Sequence, residues 1–155
     1  VFGVGYMVDL MIQRRDWSAA ERACHLLGAS DGTKEALVRE SIEGGRHKDA
    51  RRMAEAWGLR SLRDEAQNLY CRGAIDKFIT KGNIAMAETF AERSPDLTLY
   101  CCAALLASGL YDEAMRMRDK HSLHHEIPAV SAEERVAMEA ARRELYVQLP
   151  THLAR

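Results

Sequence analysis

Apolar residues recur every three to four positions along most of the chain, and the alternation that marks a half-buried strand is missing. This spacing predicts helices over 4–14, 18–27, 34–42, 48–57, 62–80, 84–93, 97–107, 111–120 and 132–149. Turn-forming residues separate them: Gly28 to Gly32, Gly44-Gly45, Gly58 to Ser61, Lys81-Gly82-Asn83, Ser94-Pro95-Asp96, Ser108-Gly109 and Ser122 to Pro128.

Every second helix carries a related pattern. Four segments align on one alanine, at Ala20, Ala50, Ala87 and Ala114. Three residues further on stand Ala23, Met53, Phe90 and Met117, and seven further on Leu27, Trp57, Ser94 and His121. Offsets of 0, +3 and +7 fall on one helical face. A small side chain at the anchor lets a neighbouring helix approach closely, and glycine after the last turn suits a left-handed cap. Ser94-Pro95 ends one helix early, because the residue before proline avoids the helical region. The intervening helices carry their own stripes: Leu37 and Ile42; Leu69, Ile75 and Ile79; Leu99, Leu105 and Leu106.

This pattern predicts an all-α fold of about nine helices, stacked as four helical pairs in a right-handed αα-superhelix of HEAT- or TPR-like irregular hairpins. The competing reading is an irregular bundle in an alanine-rich chain. The anchors lie 30, 37 and 27 residues apart, which argues against a strict repeat of 34 or 35. The final helix is rich in Glu and Arg and would cap the stack. Residues 1–155 read as a single helical repeat domain. Because the first residue is Val1, the chain is expected to be a fragment of a longer protein.

Composition agrees with a folded domain: 47% of residues are apolar and 29% charged. The longest uncharged stretch, 97–111, is fifteen residues, too short to span a bilayer. The four cysteines, at 24, 71, 101 and 102, form no C-x-x-C pair and read as buried thiols of a cytoplasmic, intracellular protein.

Chemistry is sparse. Nucleophile-elbow, P-loop and zinc-protease motifs are all missing. Gly3-Val4-Gly5 is a truncated G-x-G with no alternating strands around it. No catalytic residue, cofactor or small-molecule substrate is expected. His121 and His125 would share a face of a continuous helix and are weak metal candidates. The approach to Pro128 suggests instead that the helix is ending, where histidines favour the dipole. No Cys or carboxylate motif is spaced to complete a shell, so no metal site is expected. Asp64-Glu65, Asp112-Glu113 and Glu133-Glu134 stand at helix starts, and Ser131 with Glu134 resembles a capping box.

Charge is more informative. Twenty-two Lys and Arg balance 23 Asp and Glu, a formal charge of −1, whereas a domain built to grip nucleic acid is usually basic. The average hides two sections. Residues 46–63 set Arg46, Lys48, Arg51, Arg52, Arg60 and Arg63 against Asp49 and Glu55; residues 83–113 are locally acidic. The basic section reads as a solvated helix face or as a patch for RNA phosphates or an acidic partner. Trp57 and Tyr70, the aromatic residues near it, read as core.

The stretch 77–97 resembles the helical N-terminal region of Nibbler-type 3′–5′ exonucleases. It runs from Lys77 through Lys81-Gly82-Asn83 and Ala87-Glu88-Thr89-Phe90 to Pro95-Asp96-Leu97. Lys48-Asp49-Ala50 with Trp57-Gly58-Leu59 looks like the same family's repeat, so the resemblance covers about residues 16–125. It implies a non-catalytic scaffold attached to an exonuclease that trims small RNAs, whose DEDD-type domain lies outside these residues. It also implies docking of a protein partner, such as an Argonaute-type effector, or of RNA. The alternatives are direct RNA binding through 46–63 and a trafficking or coat-type solenoid unrelated to RNA. The near-neutral charge departs from an RNA-binding surface.

Overall fold

The computed structural model describes the backbone of residues 3–148 and the side chains of 3–144. Among the described residues the chain is all helical, without strands. The elements are α1 (Val4–Gln13), α2 (Trp17–Leu26), α3 (Asp31–Glu43), α4 (His47–Ala56), α5 (Arg60–Thr80), α6 (Ile84–Ala91), α7 (Pro95–Ala107), α8 (Tyr111–Lys120) and α9 (Ala132–Gln148). Each expected helix is present, with ends shifted by up to three residues; Leu149 lies outside the described residues. Hydrogen bonds of the side chains move several of the starts. Ser30 and Ser94 cap α3 and α7 by accepting from the Thr33 and Leu97 amides, and Pro95 occupies the first turn of α7. Both helices therefore begin earlier than their apolar stripes.

The helices are joined by one recurring turn. Between α1 and α2, α3 and α4, α5 and α6, and α7 and α8, a left-handed residue follows the helix: Arg15, Gly45, Gly82 and Gly109, at φ of 57°, 79°, 77° and 81°. The next amide reaches back to the carbonyl five residues earlier. These bonds run from Asp16 to Met11 (2.9 Å), Arg46 to Ser41 (2.8 Å), Asn83 to Phe78 (2.8 Å) and Leu110 to Leu105 (3.0 Å). This is the Schellman arrangement, which satisfies carbonyls left open at a helix end. The donor residue also starts the following helix, with φ between −92° and −90° in all four cases. Four residues on, the anchor alanine gives its amide to that residue's carbonyl, at 2.9 to 3.2 Å. Ala20, Ala50, Ala87 and Ala114 are each without exposed surface. Their alignment in the sequence thus marks a shared place in a shared turn.

The chain divides into two compact units within α5, one ending at Cys71 and the other starting at Arg72. In the first, α1 packs on α2 and α3, α2 on α3, and α3 on α4. Its core joins Val8, Cys24, Leu37, Val38, Ile42, Met53 and Leu62 to the anchors Ala20 and Ala50. Gly44 lies close to the Trp17 ring, 3.3 Å from where a β-carbon would stand. In the second unit α6 packs on α7 and α7 on α8. Phe78 of α5 meets Phe90 of α6 with ring centres 5.4 Å apart. Tyr100 of α7 reaches Asp76 of α5, its Oη 2.8 and 2.7 Å from the two carboxylate oxygens. The early end of α6 is tied to α7 by Thr98, whose buried hydroxyl donates to the Ala91 carbonyl at 2.9 Å.

Helix α9 docks on the turn between α7 and α8. Arg142 donates to the Ala107 carbonyl (2.9 Å), Tyr111 to Glu139 (3.0 Å), and Arg135 to Asp112 (2.7 Å). The capping box at its start is formed: the Glu134 amide donates to Ser131 Oγ, and the Ser131 amide to the Glu134 carboxylate. All four cysteines are buried, and none is held in a disulfide. Among the described residues no helix is long and apolar enough to cross a membrane.

Candidate functional site

Helix α4 sorts its residues as its periodicity requires. Ala50, Met53 and Ala54 are buried, while Lys48, Arg52 and Glu55 are exposed and Arg51 half-buried. The basic residues do not form one free cationic surface. Arg52 grips Glu21 of α2 with two hydrogen bonds, at 2.6 and 2.8 Å, a fork-on-carboxylate pair. That hydrogen bond outweighs the partial burial of Glu21 and holds its carboxyl below the usual value of 4.5. Arg46 donates to Asp49 at 2.7 Å, and its guanidinium lies 5.7 Å from the centre of the Trp17 ring. Arg63 bonds Asp64 at 3.1 Å. Lys48, Arg51 and Arg60 have no carboxylate partner among the described residues.

Counting Glu21 and Asp64 with Asp49 and Glu55, the six cations meet four carboxylates, and the local excess falls from four to two. Sequence reasoning missed Glu21 because it is 31 residues from Arg52. Trp57 is only half-buried, beside His25 and Lys34. Tyr70, expected in the core, is 41% exposed, because it falls on the solvent side of α5.

The acidic section is organised by α8 and α9. Glu88 of α6, the one buried charged residue among the described residues, receives Arg116 on Oε2 and Lys120 on Oε1, both at 3.1 Å. Burial pushes its carboxyl up, but the bonds from Lys120 and Arg116 outweigh it and keep it below the usual range. Lys120 also reaches Glu92 Oε1 at 3.4 Å.

The histidines separate. Helix α8 ends at Lys120, His121 forms its C-cap, and Ser122 turns left-handed at φ 55°. His121 and His125 therefore do not share a continuous helical face, as the metal pairing required. His124 points to Asp119, with Nε2 3.2 Å from Oδ1, and His125 is exposed. His121 instead lies against α6, its Nε2 3.8 Å from Glu88 Oε1. The donor atoms of Glu88, Glu92 and His121 all fall within 4.8 Å of one another. Two carboxylates thus lie beside His121, although no carboxylate motif in the sequence is spaced to complete a shell. The signal was a Glu pair four residues apart, and nothing in linear spacing links it to a histidine 29 residues later.

Comparison with family models, with curated proteins and with solved structures returns no match to this chain.

Proposed function

We propose that this chain is a docking module without catalysis of its own, built of irregular helical hairpins stacked as an αα-superhelix. The observation that carries this reading is the recurrence of one turn with one buried anchor alanine at four places in the chain. A unit that repeats its joint and its contact residue is suited to stacking, and stacked hairpins work by offering an extended surface to a macromolecule. The resemblance of 77–97 to Nibbler-type exonucleases supports a small-RNA-trimming enzyme as the parent and an Argonaute-type protein as the partner.

A protein partner is favoured over RNA by the pairing of Arg46, Arg52 and Arg63 with carboxylates. Three cations, Lys48, Arg51 and Arg60, remain for phosphates. Three phosphate contacts to a single strand give a log–log salt slope of only about −2.

The test is a pair of titrations with the purified chain, against an Argonaute-type effector and against single-stranded RNA at two salt concentrations. The reading expects saturable effector binding, and RNA binding that is weak at the higher salt. RNA binding steeper than the three free cations allow, lost in Lys48→Glu with Arg51→Glu, would establish the RNA-binding alternative instead. Failure of the effector to bind would remove the link to small-RNA trimming and favour a coat-type solenoid.

A further inference from the structure

We propose that Glu88, Glu92 and His121 form a binding site for one divalent transition-metal ion of the zinc class. The proposal is independent of the docking reading. Glu88 lies in α6 and Glu92, a helical turn on, is its C-cap with helical backbone angles, so both project from one face. His121 approaches from the end of α8. Its backbone amide donates a hydrogen bond to the Met117 carbonyl at 3.0 Å.

Three features distinguish this group from an ordinary surface ion pair. The first is His121 Nε2, which is shielded from solvent and has no hydrogen-bond partner. A buried donor or acceptor left unspent calls for an explanation. Here the atom faces a carboxylate oxygen at 3.8 Å. Tetrahedral ligands about 2.1 Å from a zinc ion stand roughly 3.4 Å from one another, so small side-chain rotations bring these donors into place.

The second is Arg116. By occupying Glu88 Oε2 it leaves Oε1 turned toward His121, as an outer partner orients a ligating carboxylate. The third is room. A groove of about 320 Å³, lined in part by Glu92, Ser94, Thr98 and His121, adjoins the group. It offers an entry path and space for a water as fourth ligand, the arrangement of an open zinc site. One imidazole and two carboxylates suit zinc and its neighbours better than the hard alkaline-earth ions, which prefer oxygen alone.

Lys120 is the competitor. Its ammonium bridges Glu88 and Glu92 at 3.1 and 3.4 Å, in the place where positive charge is wanted. The side chain is half exposed on a flexible stem and can swing into solvent when a doubly charged ion arrives.

The experiment is zinc titration of the full chain by calorimetry under a phosphine reductant, with cobalt(II) absorption reporting the geometry. One ion per chain is expected. His121→Ala and Glu92→Gln should each weaken binding about 10- to 100-fold, and Lys120→Met should tighten it. His124→Ala and His125→Ala should leave it unchanged. Glu92 and His121 lie outside the buried core, so these variants keep the fold, which their thermal unfolding would verify. No binding up to about 1 mM zinc, an affinity near −4 kcal/mol, would overturn the proposal. So would an affinity that His121→Ala and Glu92→Gln leave intact.

Discussion

Alanine at the four anchor positions is small for a mechanical reason: at Ala50 the side chain has no exposed surface and α3 packs on α4. Ala50→Leu is expected to cost about 1–3 kcal/mol through overpacking, read as a lower urea midpoint; an unchanged midpoint would show that the helices can part freely. The buried thiols make a second prediction at this scale. Burial, with smaller help from neighbouring negative groups, pushes Cys101 up to about 12, and burial also raises Cys24 and Cys102. Because the thiolate is the reactive form, these three sulfurs should resist a disulfide reagent at pH 8 in the folded chain and react once it is unfolded. Rapid labelling of the native protein would contradict the packing.

At the scale of elements, the turns govern where helices end. At Gly45, Gly58 and Gly82 the backbone is left-handed and nothing stands within 4 Å of an added β-carbon. Gly58→Ala should therefore cost conformational energy alone, about 1 kcal/mol. Arg15 adopts the same conformation without glycine's freedom, so Arg15→Gly should be neutral or slightly stabilising. Thermal unfolding of the two variants, shifted in opposite senses or by unequal amounts, checks this. Asn83→Ala, removing the side chain that accepts from the Met86 amide, should cost about 1 kcal/mol.

The helices were legible because their periodicity and glycine punctuation are local, and the alanine alignment because the turn fixes a constant offset of four residues. Helix starts were read late where Ser30 and Ser94 reach forward to cap polar first turns. The Arg52–Glu21 pair and the Glu88–His121 encounter were not legible, since both depend on which helix faces which.

For the molecule as a whole, Glu21 with Arg52 makes a pH-sensitive link in the first unit. The hydrogen bond from Arg52 lowers the Glu21 carboxyl in the folded chain, while the unfolded chain returns it to the ordinary 4.5. A lowered acid contributes stability above its unfolded value and loses it as pH falls through the folded one. The stability difference between the wild type and Glu21→Gln should accordingly shrink as pH drops from about 5 to 3, with the pair contributing at most about 1 kcal/mol because Arg52 is largely exposed. A difference that is flat over this window would mean that the pair contributes nothing.

The recurring turn also decides where the chain can be cut. Each tight turn spends its amides on carbonyls of the helix just ended, so a protease cannot draw that backbone into an extended strand without first unravelling a helix end. The segment between α8 and α9 differs: Pro128, Ala129 and Ser131 are outside any helix, and all three are exposed. Limited digestion should therefore begin between α8 and α9, releasing α9 from the turn that Arg142 and Glu139 cover, and only later reach the hairpins.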